Sequence, residues 1–238
     1  MSMHQHQDEA HGESGYCLGC GSAGLVGEPC TNLVCDRFRL HLIPGHDAAL
    51  DQHDDSFIGR KVDQFLIVDL IGVGGFGKVY RAVVGPEFRE EAAVKFLRLP
   101  DDARLRAMMP ARFSNEARVL ENLDHPNIVK LLAHRTDISQ PYIAMEYLRS
   151  SVTLRDDVIA RIRAGQWYDQ AQVREIMLQV LDALQAAHEM GVVHRDVKPE
   201  NIMLQYADSH VPRVKLVDFG TAKIIEAGSG GVTQLALG

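Results

Sequence analysis

His194-Arg195-Asp196-Val197-Lys198-Pro199-Glu200-Asn201 runs into the apolar stretch Ile202-Met203-Leu204, and Asp218-Phe219-Gly220 lies a short way downstream. Val192-Val193 leads into the first run, and Val214, Leu216 and Val217 precede the second. Both polar runs are therefore expected in loops between short strands, where side chains are held in fixed positions. Asp196, Lys198, Asn201 and Asp218 supply two carboxylates, an amide and an ammonium. That set suits a hard cation carrying phosphates. A polar surface loop with one buried aspartate is the plainer reading, and a single carboxylate would not displace it. The whole string does.

Working outward toward the N-terminus, Phe65-Leu66-Ile67-Val68-Asp69-Leu70-Ile71 reads as a strand, Gly72-Val73-Gly74-Gly75-Phe76-Gly77-Lys78 as a glycine-rich turn, and Val79 to Val84 as a returning strand. A lone G-x-G-x-x-G is weak evidence. A dinucleotide fingerprint needs a helix after the glycines, and a β-branched run follows instead. A Walker A loop needs Ser or Thr after its lysine, and Val79 has no hydroxyl. A glycine-rich hairpin whose amides cover nucleotide phosphates fits the strand-glycine-strand order, with a plain structural hairpin left open beside it. Ala92-Ala93-Val94-Lys95-Phe96-Leu97 is an apolar strand with one lysine inside it, and a buried lysine is costly unless paired. From Ala111 to Leu123, Phe113, Glu116, Ala117, Leu120 and Leu123 fall on one helical face. Glu116 is either an edge residue reaching water or the partner of Lys95.

Taken together, HRDVKPEN, DFG, the glycine turn and the AAVK strand resemble the eukaryotic-type Ser/Thr protein kinases, in a bacterial-like form. The resemblance covers about Phe65 to Gly238. It implies an α+β, bilobal protein-kinase-like fold, with a β-rich N-lobe and hinge over 63–148 and a partial helical C-lobe over 149–238. It also implies an ATP- and Mg²⁺-dependent protein kinase acting on Ser/Thr hydroxyls. In that scheme Asp196 is the catalytic base, Lys198 stabilises the transferring phosphoryl group, and Asn201 and Asp218 hold Mg²⁺. Lys95, fixed by Glu116, takes the α and β phosphates under Gly72, Gly74 and Gly77. Backbone groups of Glu146 and Leu148 face the adenine, Met145 backs it, and Val79, Ala93 and Met203 sandwich it. Lys198-Pro199-Glu200-Asn201 matches Ser/Thr rather than Tyr kinases. Arg195 implies control by an activation-segment phosphate, with Ser229 and Thr233 as candidates. The family continues beyond the point where this sequence stops, at Gly238, so the chain reads as truncated within the activation segment. A catalytically incompetent kinase fragment that binds nucleotide or acts as a scaffold is the alternative.

Helices are expected over Leu154 to Ala164 and Gln170 to Met190. The second carries Val173, Ile176, Met177, Val180, Leu181, Leu184 and Ala187 at helical spacing. Residues 1–15 are polar and read as a disordered tail, and 44–62 as an acidic linker. Between them, 16–43 holds all four cysteines in the spacing C-x2-C-x9-C-x4-C: Cys17, Cys20, Cys30 and Cys35. Four thiolates close a tetrahedral Zn²⁺ site and can fold a segment too small for its own core, in a zinc-ribbon-like module with a strand after the last cysteine. Two disulfides, an iron site, or four unrelated thiols are the competing readings. The first is disfavoured by the lack of an apolar secretory leader, which points to a reducing cytoplasm. A net charge of −7 over 238 residues argues against a nucleic-acid partner, and no apolar run approaches membrane-span length. The expected partners are ATP and Ser/Thr-bearing proteins.

Overall fold

The computed structural model describes residues 13–37, 39–44, 55–74, 77–85, 88–98, 121–135, 139–206 and 211–219. Its contacts fall into two units. One comprises Met1–Val73 with Val79–Val94, and the other Gly74–Lys78 with Lys95–Gly238.

The first unit opens with β1 (Ser14–Tyr16), β2 (Ala23–Leu25), α1 (Leu33–Asp36) and β3 (Ile43–Pro44), the strands ordered β2-β1-β3. Cys17, Cys30, Cys35 and Leu42 form their small core, with Leu40 against it. β4 (Lys61–Val62), β5 (Phe65–Gly74) and β6 (Gly77–Val84) follow, and β7 (Glu90–Leu97) runs from this unit into the next. Phe65 to Val68 are buried consecutively, which requires cover on both faces of the strand. Within the stretch expected to be a linker, Lys61–Val62 form β4 and Arg60 bridges Leu40, with 56–59 in turns before them. Gly59 and Arg60 exchange backbone bonds with Ile67, and Asp55 accepts the Tyr80 hydroxyl at 3.0 Å. Their acidic, turn-rich composition hid pairing that depends on backbone groups.

The second unit contains β8 (Leu131–Arg135), β9 (Tyr142–Glu146), β10 (Ser151–Thr153), α2 (Leu154–Arg163), α3 (Gln170–Glu189), β11 (Ile202–Gln205) and β12 (Arg213–Leu216). The larger sheet has the order β4-β5-β6-β7-β9-β8, and the smaller one β10-β11-β12, antiparallel throughout.

Asp169 starts α3 with a capping box. Its carboxylate accepts from the Gln172 amide at 2.7 Å, and the Gln172 side chain accepts from the Asp169 N–H at 3.1 Å. At the other end Gly191, with φ +74, allows a Schellman turn, in which the Gly191 and Val192 amides bond the carbonyls of His188 and Ala187. Val192-Val193 thus belongs to a helix cap and not to a strand. Ile176, Val180, Ala183 and Ala187 of α3 pack with Ile202, Leu204, Val214, Leu216 and Phe219, so the helix backs the two strands that carry the polar loops. Val173, Met177 and Leu181 of the expected apolar face remain exposed.

Candidate active site

The loop from His194 to Asn201 is built around His194, which is only 1% exposed. Its Nε2 lies 3.0 Å from the Val217 carbonyl, and its Nδ1 accepts the Asp196 amide at 3.3 Å. This is the neutral tautomer with the proton on Nε2, and burial holds its pKa below the usual histidine value. The ring also packs against Phe219 at a tilt, with centroids 4.4 Å apart. One side chain therefore ties the His194–Asn201 loop to the residues on both sides of Asp218.

Asp196 then projects where two donors converge. Lys198 Nζ donates to Asp196 Oδ2 at 2.8 Å, and Asn201 Nδ2 donates to the same oxygen at 3.0 Å and to the Asp196 carbonyl at 2.9 Å. The short 3-10 turn Pro199–Asn201 returns Asn201 to this position, buried, directly before β11. The hydrogen bond from Lys198, followed by that from Asn201, keeps the Asp196 carboxyl below the usual range, and Lys198 is raised in return. Asp196 is thus ionised at neutral pH and can accept a proton. Arg195 and Asp218 both take left-handed backbone conformations, φ +65 and +61. Strain of this kind in residues other than glycine gathers at functional sites.

Lys95, 4% exposed on β7, donates to Asp218 Oδ1 at 2.7 Å. The paired lysine expected from the apolar strand is present, with Asp218 as its partner; Glu116 lies outside the described residues, as do Gly220, Ser229 and Thr233. Of the glycines, Gly77 is demanded by the fold itself: its φ is +142, and a Cβ there would sit 1.9 Å from the Phe96 carbonyl oxygen. A Cβ at Gly74 meets nothing within 4 Å, and one at Gly72 only ordinary contact with Val79. Val79, Ala93 and Met203 lie on β6, β7 and β11, and Met145 is buried near the end of β9.

Glu146 carries a network that the sequence reading missed. Its amide donates to Lys130 O at 2.9 Å. Its Oε1 accepts from the Lys130 amide at 2.8 Å and from Lys215 Nζ at 2.5 Å, while Lys215 also donates to Ile128 O at 3.0 Å. The Leu148 carbonyl accepts from Ser151 Oγ at 2.7 Å. A lysine inside the apolar run Val214-Lys215-Leu216 was a legible signal, by the same argument that singled out Lys95.

In the first unit, the Sγ atoms of Cys17, Cys20, Cys30 and Cys35 all lie within 4.8 Å of one another, those of Cys20 and Cys30 at 3.5 Å. Tetrahedral zinc with bonds of about 2.3 Å needs sulfurs roughly 3.8 Å apart, so this cluster has the size of a metal site. Desolvation pushes Cys35 up to about 12 and raises Cys30, whereas the Ser22 hydroxyl bond brings exposed Cys20 down to about 6.

A model of the protein kinase domain matches residues 65–236. The serine/threonine-protein kinase Pkn1 of Myxococcus xanthus is 32% identical over 214 residues, covering 90% of this chain and 29% of the relative. A probable serine/threonine-protein kinase of Corynebacterium efficiens is 37% identical over 183 residues, covering 73% and 25%. The crystal structure of the Mycobacterium tuberculosis PknI kinase domain superposes with a TM-score of 0.57 at 28% identity, over 68% of this chain and 62% of that one. The chain thus spans 29% or less of these two curated relatives. Catalytic loop, buried lysine, fold and family match agree, and the chain belongs to the protein kinase domain family.

Proposed function

We propose that this chain carries the phosphotransfer centre of a serine/threonine protein kinase that uses Mg·ATP. The observation that carries the reading is the Asp196 carboxylate, held ionised by Lys198 and Asn201 at 2.8 and 3.0 Å. Asp196 orients the substrate hydroxyl and takes its proton. Lys198, beside it, meets the charge that develops on the transferred group. Asn201 and Asp218 fit Mg²⁺, since both offer oxygen ligands from strand-anchored positions. When bound, Mg·ATP supplies the phosphoryl group and neutralises its charge. Lys95 would meet the phosphates where Asp218 held a cation; within the second unit the Glu146 carbonyl and the Leu148 amide would receive the adenine, with Met145 behind it and Met203 against one face. Gly72 and Gly74, which packing does not require, let the backbone approach the phosphates.

Transfer of labelled phosphate from ATP to a Ser/Thr-rich protein tests this. Asp196→Asn should lower the rate by at least about 100-fold, and unchanged transfer would refute the role. The cysteine cluster we assign to structural Zn²⁺, supported by sulfur spacing and by a core too small to stand alone. Four thiolates leave no open position for catalysis. Elemental analysis of the purified protein should give one zinc per chain, lost in Cys17→Ser. A four-thiolate zinc site suits a reducing compartment such as the cytoplasm, where cysteines stay reduced. Among the described residues no helix is long and apolar enough to cross a membrane.

A further inference from the structure

The cysteine module and the strand that leads to the glycine turn share one run of backbone hydrogen bonds. The Cys30 amide donates to Leu40 O at 2.9 Å, and Leu42 exchanges bonds with Glu28 and Gly27 at 2.9 and 2.8 Å. The other side of this arm pairs with the kinase sheet: the His41 amide donates to Gly59 O at 2.7 Å, and Leu40 bridges Arg60 in antiparallel register. Gly59 N–H in turn donates to Ile67 O at 2.8 Å, and Ile67 N–H to Arg60 O at 3.0 Å. Two stretches of backbone, the Leu40–Leu42 arm and Gly59–Arg60, therefore stand between the ligand strand at Cys30 and Ile67, which is fully buried on β5, five residues before Gly72.

A second contact clamps the same pair. Phe88, between β6 and β7, lies against Gly27, where a Cβ would sit 2.0 Å from the ring; Gly27 has φ +84, and Lys61 Nζ stands 5.3 Å from the ring centroid. The module brings few apolar groups of its own, so it depends on its metal to keep this geometry.

We propose that the metal-loaded cysteine module positions β5, and through it the glycine turn over the nucleotide phosphates, with the Leu40–Leu42 arm and Phe88 as its two points of contact. This rests on the assignment of a metal to the four cysteines. Loss of the metal frees the arm, and Gly59, Arg60 and β5 lose their outer neighbour.

The test uses the whole chain, with metal content measured alongside amide hydrogen exchange and the Kd for Mg·ADP. Stripping zinc with a chelator should speed exchange at His41, and at Ile67 by about tenfold or more, and should weaken Mg·ADP binding by a similar factor. Phe88→Ala should keep its zinc yet show part of both effects, and Phe88→Tyr, which keeps the ring, should show neither. A change confined to residues 13–44, or an unaltered Mg·ADP Kd when Ile67 loosens, overturns the proposal and leaves the metal site standing. Purified protein without bound metal overturns the assignment on which it rests.

Discussion

Lys215→Met replaces a buried ammonium with an apolar chain of similar length. Lys215 keeps about 10% of its side-chain surface and Glu146 31%. The change removes a 2.5 Å bond to Glu146 Oε1 and a 3.0 Å bond to Ile128 O. Breaking a fully buried pair by removing one partner costs about 3–5 kcal/mol, because the other charge is left unmatched. Glu146 is partly wet and keeps its bond from the Lys130 amide, so a loss of about 2–3 kcal/mol is expected. With a urea m-value of about 2 kcal/mol/M, the unfolding midpoint should fall by roughly 1–1.5 M. Glu146→Gln should cost a comparable amount, since Lys215 then has no counter-charge. The double variant should cost about 2 kcal/mol less than the sum of the two, as expected for groups in direct contact. Urea unfolding followed by tryptophan fluorescence and circular dichroism measures all three. A Lys215→Met loss below about 0.5 kcal/mol, or strict additivity, would show that the pair is a surface-like contact and refute the argument.

Gly77→Ala should destabilise the protein by about 2 kcal/mol or more, because the new Cβ meets the Phe96 carbonyl and the backbone is left-handed. Gly74→Ala, which enters open space, should change stability by less than about 0.5 kcal/mol; thermal melts of the two variants side by side decide this. Burial lowers the His194 pKa, so the unfolded chain binds the extra proton first. Its contribution is complete above the unfolded value of about 6.5 and is lost as pH falls through the folded pKa. Urea unfolding of metal-free protein between pH 7 and 5 should therefore show a stability slope that flattens in His194→Gln; parallel slopes would contradict it. Asp169→Ala removes the capping box of α3 and should lower stability by about 1 kcal/mol, read by the same titration.

The sequence carried much of this architecture wherever the signal was local. The ends of α2 and α3 follow from helical periodicity and from Gly191, and β5 to β7 from apolar runs around the glycine turn. Asp196, Lys198 and Asn201 lie within six residues, so a motif finds them together, and the structure joins them by direct bonds. What stayed hidden depends on distant partners. Lys215 and Glu146 stand 69 positions apart, and neither position announces the other. The pairing of residues 58–60 uses backbone groups alone, which composition does not report. The contact of Phe88 with Gly27 carries no local signal either, because the two belong to different modules.

Arg195 and Asp218 hold left-handed backbones that glycine would adopt freely, at a cost of roughly 1 kcal/mol each. An engineering search that scored folding alone would therefore choose glycine early at both positions. One of those changes would erase Lys95's partner, which we propose as a cation ligand, and the other would remove the guanidinium next to the proposed catalytic base. Thermostability and chemistry pull on the same two residues in opposite directions, so any stabilised version of this protein has to find its gains elsewhere, as in the apolar core behind α3.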